Sequence, residues 1–199
     1  MRIGVFGGTF DPPHVGHLIL AEECRTQLKL DKLLWVVTNH PPHKQSMVIS
    51  SIEERVALVD KTIAGNEFFE LSRVDIDRPG PHYALDTVRL LKDQFPQAEL
   101  FYLMGGDSLH DLPIWHRAQE FLERCDGIGV MRRYDDRVEM EELEKVLPGI
   151  TQKTHLVEAP ILEISSRQIR QRIENGKGYR YYLTDPVYRA IEELNLYRS

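Results

Sequence analysis

The sequence predicts an α/β protein, a doubly wound parallel sheet with helices on both faces and a small C-terminal helical segment. Three observations predict it. Short apolar runs rich in β-branched residues alternate with stretches of helical spacing, the pattern of a parallel sheet covered by helices. The first apolar run ends in Gly7-Gly8 and leads into a helical pattern. From Ser165 onward only helical patterns remain, split near Gly176 and Gly178.

In chain order, Arg2–Phe6 reads as a short buried strand. Leu18 to Leu30 has apolar residues at helical spacing, among them Leu18, Ala21 and Leu28. Leu33–Val37 is a second strand. Ser51 to Ala64 is a helix, since Ser51-x-x-Glu54 makes a capping box and Gly65 supplies a stop. Phe68–Ile76 reads as a strand that changes course. Tyr83–Phe95 is helical, and Glu99–Met104 is a strand ending at Gly105-Gly106. Gly127–Met131 is a strand, Val138–Leu147 a helix and Thr154–Val157 the last short strand. Between the second strand and the next helix lies the irregular segment Thr38–Ser50, with His40, Pro41, Pro42, His43 and Lys44. Ligands of such sheets bind beyond the carboxyl ends of the strands, so this segment is either a ligand-contacting loop or an ordinary surface loop.

The 199 residues fit one domain, 1–199, with its helical part over about 165–199. A chain of this size buries about 70% of its unfolded surface. The 25 basic and 31 acidic residues give a net charge of −6. That balance argues against a nucleic-acid partner, whose affinity comes mainly from basic charge. It argues against an anionic membrane surface for the same reason. The longest apolar run, Leu33–Val37, is far short of the roughly 20 residues of a membrane helix. The N-terminal residues lack the apolar stretch of a signal peptide. Cys24 and Cys125 form no CxxC pair. Two reduced thiols in a cytoplasmic protein are the expectation.

The segment Gly7-Gly8-Thr9-Phe10-Asp11-Pro12-Pro13-His14-Val15-Gly16-His17 joins the first strand to the first helix. It is neither a GxGxxG fingerprint nor a P-loop. It still holds the parts of a phosphate site. Gly7 and Gly8 let the backbone turn and approach a ligand closely. The first N–H groups of a helix carry partial positive charge and bind anions. Pro12 and Pro13 stiffen the helix entry. His14 and His17, three apart, project from one face if helical, and Gly16 between them leaves room for a phosphate to touch the backbone. Two imidazoles can hold charge that grows during a displacement. Two competing readings stay open: satisfied surface histidines, and a zinc site in which His14 and His17 join His40 and His43. Against zinc stand the missing HExxH, the absence of a nearby Cys and the extended backbone that Pro41-Pro42 imposes.

Near the other end, Glu163-Ile164-Ser165-Ser166-Arg167-Gln168-Ile169-Arg170 offers a second anion clamp. Ser165 or Ser166 is a good N-cap, and Arg170 lies one turn after Ser166 on the same face. A capped helix with an ordinary surface Arg is the plainer alternative.

Together these segments carry a resemblance. His14-x-Gly16-His17 and Ile164-Ser165-Ser166-x-x-Ile169-Arg170 resemble the HxGH and ISSxxxR signatures of the nucleotidylyltransferase superfamily, on a Rossmann-like fold. One branch, the bacterial nicotinate-nucleotide adenylyltransferases, is also similar at His40-Pro41-Pro42-His43-Lys44, at Arg78-Pro79-Gly80-Pro81-His82-Tyr83 with Thr87, and at Gly105-Gly106-Asp107-Ser108 leading to Leu112-Pro113-x-Trp115. The ending Gly176-Lys177 … Tyr182-Leu183 … Pro186-Val187 fits as well. The likeness spans nearly the whole chain. Arg167, Ala84 and His116 depart from the usual Thr, Thr and aromatic residue.

The resemblance implies transfer of the adenylyl group of ATP to nicotinate mononucleotide, giving deamido-NAD and pyrophosphate. It implies that His14, His17, Lys44 and Arg170 act on the phosphates. Gly8, Thr9, Phe10, Ile164, Ser165 and Ser166 would line the ATP site. Gly7, Lys44, Tyr83, Ala84, Gly106, Asp107 and Trp115 would meet the mononucleotide: Asp107 a ribose, Trp115 the pyridine ring, Tyr83 and the backbone near Ala84 the nicotinate carboxylate. Mg²⁺ would accompany ATP, held by phosphates and water with no protein metal site. The attacking phosphate is already ionised and needs no general base, so catalysis would be positioning and charge stabilisation. The expected partners are small-molecule nucleotides, and a homo-oligomer is compatible with the sequence. Alternatives are nicotinamide mononucleotide or phosphopantetheine as acceptor, and a non-catalytic nucleotide-binding module.

Overall fold

A computed structural model of the chain describes residues 1–39, 49–131, 139–160 and 162–198. The described residues form six parallel strands: β1 (Arg2–Gly8), β2 (Lys32–Val37), β3 (Phe69–Ser72), β4 (Glu99–Gly105), β5 (Gly127–Met131) and β6 (Thr154–Val157). Helices intervene. They are α1 (Val15–Gln27), α2 (Ile52–Ile63), α3 (Ala84–Gln94), α4 (Gly106–Asp111), α5 (Ala118–Arg124), α6 (Met140–Val146) and α7 (Ile150–Lys153), followed by α8 (Ser166–Glu174) and α9 (Asp185–Glu193).

The strand order is β3-β2-β1-β4-β5-β6. The chain winds outward from β1 through β2 to β3, returns beside β1 as β4, and winds the other way. The crevice beyond the carboxyl ends of β1 and β4 is therefore the switch point where ligands of such folds bind.

Period-two alternation sends side chains to both faces, and both are covered. Ile3, Val5, Leu34, Val36, Leu100 and Tyr102 pack under α3 and α5 (Leu85, Val88, Leu91, Phe121). Phe6, Leu33, Trp35, Val37 and Phe101 pack under α1 and α2 (Leu20, Ala21, Cys24, Val59). A third cluster joins α8 and α9 to α2 through Ile169, Ile173, Val187, Ile191 and Leu58.

The predicted punctuation is where expected. Ser51 accepts the N–H of Glu54, and Glu54 accepts that of Ser51 at 2.9 Å. Helix α8 ends at Gly176, in the left-handed region at φ 64°; Gly176 N–H reaches Ile173 and Lys177 N–H reaches Arg172, a Schellman ending. The predicted strand Phe68–Ile76 is strand only over Phe69–Ser72; its remainder is a turn held by Ile76 and Asp77 N–H groups on the Arg73 carbonyl. Of the helix predicted over Val138–Leu147, Val138 lies outside the described residues. The short helices α4, α5 and α7 have no counterpart in the predicted elements. Each is too short to show a helical period, and α5 starts from Arg117 at φ 54°, a conformation that no local pattern announces.

Candidate active site

The loop from β1 to α1 closes back on the sheet. Phe10 takes a left-handed φ of 50°, which a non-glycine residue holds only when its surroundings demand it. Its ring is buried edge-on against Phe6, with centroids 5.3 Å apart, and packs against Trp35 at 5.1 Å. A Cβ on Gly8 would lie within 3.0 Å of that ring, so the glycine is what lets Phe10 fold underneath.

His14 is the N-cap of α1 and His17 is its third residue. The imidazoles stack at 3.7 Å between centroids and 26° between planes. The N–H of His14 donates to Nδ1 of His17 at 3.1 Å. A ring nitrogen that accepts carries no proton, so neutral His17 is assigned the Nε2–H tautomer. The His17 ring is further held by Phe10, edge-on at 5.1 Å. Gly16 has a use beside the predicted one. A Cβ there would sit 3.1 Å from Nδ1 and 3.2 Å from Cε1 of His14, so the glycine makes room for the imidazole beside it. Pro12 and Pro13 precede the N-cap.

The second signature docks on the first. Ser165 is the N-cap of α8, accepting the N–H of Gln168 at 3.2 Å. The Ser166 hydroxyl donates to the carbonyl of Pro12 at 2.8 Å, and Arg170 Nη1 donates to the carbonyl of Asp11 at 2.6 Å. The one-turn spacing of Ser166 and Arg170 thus turns both toward neighbouring carbonyls of the β1–α1 loop. Ile164 lies beside Gly16, and Arg167 faces solvent.

Two buried groups unremarked in the sequence organise this loop. Arg55 of α2 is 2% exposed. Its guanidinium donates to the carbonyls of Thr9, Thr38, Asn39 and Ser50 at 2.8–3.2 Å. Burial lowers its pKa from the ordinary value, and the charge of Asp11 opposes that shift. Asp11, 3% exposed, accepts the Tyr197 hydroxyl at 2.8 Å and the Ser50 N–H at 3.3 Å. The available signal for Arg55 was its place in the buried stripe Arg55, Leu58, Val59 and Thr62 of α2; a cation in an apolar stripe has a buried partner. Asp11 and Tyr197 gave no comparable signal.

The other predicted residues gather at the ends of β4 and α3. Gly105 caps α4, with Gly106 first in the helix and Asp107 second; the Asp107 carboxylate accepts the N–H of Ser108 at 3.0 Å. Trp115 is half-buried, 5.5 Å from Phe121 and edge-on to Tyr102 at 6.1 Å. Tyr83 caps α3, Ala84 begins it, and the Tyr83 ring stacks on His116 at 4.2 Å. Beneath them, buried Asp75 accepts Arg78 Nη2 at 2.9 Å and the Thr87 hydroxyl at 2.8 Å, while His82 Nε2 lies 3.1 Å from the Arg78 carbonyl. Arg78, His82 and Thr87 therefore shape the turn that presents Tyr83. Lys44, His40 and His43 lie outside the described residues, and with them the loop contact and the zinc reading. Among the described residues, no three His, Cys, Asp or Glu side chains converge as metal ligands, and no helix is long and apolar enough to cross a membrane.

Two helix starts, two imidazoles and a guanidinium meet in the segment that follows β1, one of the two strands at the switch point. Groups of this kind can hold anionic oxygens. Comparison with known proteins adds to this. Residues 5–172 match the cytidylyltransferase-like family model. The chain is 40% identical to the probable nicotinate-nucleotide adenylyltransferase of Exiguobacterium sibiricum, over all of both chains. It is 39% identical to that of Thermomicrobium roseum, over all of this chain and 92% of the relative. Its fold is similar to that of Plasmodium falciparum nicotinic acid mononucleotide adenylyltransferase complexed with NaAD, with a TM-score of 0.81 at 17% identity over 98% of this chain and 97% of that one.

Proposed function

Because the chain belongs to the nicotinate-nucleotide adenylyltransferase family, we propose that it joins ATP and nicotinate mononucleotide, forming nicotinate adenine dinucleotide and pyrophosphate in NAD biosynthesis. What supports the residue assignments is the docking of α8 on the β1–α1 loop through Ser166 and Arg170. In this reading the mononucleotide 5′-phosphate attacks the α-phosphorus of ATP and pyrophosphate leaves in line. His17 Nε2–H, His14 and Arg170 hold the charge that shifts onto the leaving phosphates, with Lys44 as a further cation. Gly8, Thr9, Phe10, Ile164, Ser165 and Ser166 line the ATP side. Gly7, Tyr83, Ala84, Gly106, Asp107 and Trp115 line the mononucleotide side, where the first N–H groups of α3 suit a carboxylate.

The donors in the cleft are imidazoles, hydroxyls and a guanidinium, a set that binds phosphate oxygens rather than a hard cation. Mg²⁺ therefore belongs to the triphosphate and its waters in this proposal, and it supplies charge neutralisation to the leaving pyrophosphate. The free, buried Cys24 and Cys125 suit a cytoplasmic enzyme.

The test offers ATP and Mg²⁺ with nicotinate mononucleotide, nicotinamide mononucleotide or phosphopantetheine in turn, reading pyrophosphate and product mass. Pyrophosphate release with nicotinate mononucleotide and the dinucleotide mass are expected. ATP binding without pyrophosphate from any acceptor would make the chain a nucleotide-binding module. Release with another acceptor alone would reassign the substrate.

A further inference from the structure

We infer that Tyr197 is a positioning residue for adenylyl transfer, fixing the place of Arg170 through the buried carboxylate of Asp11. The inference rests on the assignment of Arg170 to the ATP phosphates. The Tyr197 hydroxyl donates to Asp11 Oδ1 at 2.8 Å, across 186 residues of sequence. The other carboxylate oxygen accepts the Ser50 N–H at 3.3 Å and lies 3.9 Å from Arg170 Nη1. The same Nη1 donates to the Asp11 carbonyl at 2.6 Å. Asp11 is thus gripped at both ends, its carboxylate by Tyr197 and its carbonyl by Arg170. With almost no water reaching it, its geometry is set by these partners.

The backbone shows what the contact demands. After α9 the chain passes through left-handed conformations at Asn195 (φ 52°) and Tyr197 (φ 63°). An aromatic residue holds that conformation only where its surroundings over-determine it. Leu196 is buried in the cluster that joins α8, α9 and α2, and the turn it anchors brings the Tyr197 ring back over the β1–α1 loop. The hydroxyl is aimed at a carboxylate that Arg170 also faces.

The test uses the full chain as Tyr197→Phe, Arg170→Ala and the double variant, with Mg²⁺, reading kcat and KM separately for ATP and for nicotinate mononucleotide. Tyr197→Phe keeps the ring and removes one hydroxyl. Its kcat/KM for ATP should fall about tenfold to a hundredfold, the range for a hydrogen bond to a charged group, with KM for the mononucleotide unchanged. Because Tyr197 acts through Arg170, the double variant should be no worse than Arg170→Ala alone. Unchanged ATP kinetics in Tyr197→Phe, a rise in KM for the mononucleotide as large as any loss in kcat/KM for ATP, or losses that multiply in the double variant would overturn the inference while leaving Arg170 in its role. Normal ATP kinetics in Arg170→Ala would overturn that role and the inference with it. Should Tyr197→Phe fail to fold, Asp11→Asn carries the same test: lower kcat/KM for ATP with KM for the mononucleotide unchanged supports the inference, and wild-type ATP kinetics or a matching rise in KM for the mononucleotide overturns it.

Discussion

The imidazole of His17 accepts the backbone N–H of His14 at 3.1 Å while the two rings stack. One nitrogen of His17 thus holds the helix start together, and in the neutral ring the other carries the proton. These duties separate by mutation. His17→Ala should fold yet lose about 10²–10³ in kcat, the cost of one preorganised donor. His17→Asn, which can still accept the N-cap N–H, should keep wild-type melting and show the same loss. Steady-state rates beside thermal melts check this, and near-normal turnover in either folded variant counts against the assignment.

Gly16 separates crowding from folding in the same turn. In Gly16→Ala the new Cβ meets the His14 ring at 3.1 Å and must displace it. Alanine's helix preference, about 1 kcal/mol over glycine, offsets the crowding, so the melting temperature should change little. Turnover should fall by only a few-fold, since the ring must give way by a few tenths of an ångström and a full 1 Å misplacement can cost about 10². Full activity in this variant would show that His14 need not hold its present place.

Arg55 carries a stability prediction. Arg55→Met keeps most of the stem but leaves four carbonyls without this donor and takes one of two nearby cations, Arg55 and Arg170, from Asp11. Removing one partner of a buried charge arrangement costs about 3–5 kcal/mol. Urea unfolding should show a loss of that size; a loss under about 1 kcal/mol would mean that water replaces the guanidinium at little cost.

The alkaline limb of stability follows from the two thiols. Burial pushes Cys24 and Cys125 from the ordinary 9.0 up to about 12. In the unfolded chain they ionise first, so protons leave the unfolded state while the folded state keeps them. Their stabilising effect is whole below pH 9 and is lost between about pH 9 and about pH 12. Each thiol adds a slope of about 1.4 kcal/mol per pH unit inside that window. A Cys24→Ala/Cys125→Ala variant should show a flatter fall in unfolding free energy over that range, and an unchanged slope would contradict the burial argument.

Much of the local architecture was legible in the sequence. The capping box of Ser51 and Glu54, the glycine stop at Gly176 and the seryl start of α8 each act within one helical turn, so neighbours in sequence suffice to announce them. The His14/His17 pairing was legible for the same reason. Arg55 was not, because an arginine in a helix reads as a solvated side chain until its stripe is known to be buried. That Gly16 also makes room for the His14 ring was not legible, because that close approach depends on where the folded turn places the imidazole.

The sequence by itself determined the alternation of strands and helices, the two phosphate-friendly helix starts and the family. Only the tertiary structure decided that Ser166 and Arg170 close on Pro12 and Asp11, from 154 and 159 residues away, and that Tyr197 completes the arrangement. The physical reason is that anion-binding turns are short-range backbone geometry, whereas their meeting depends on strand order. The sheet reverses its winding between β1 and β4. Which strands pair is settled by the burial of both sheet faces at once, a condition on the whole chain.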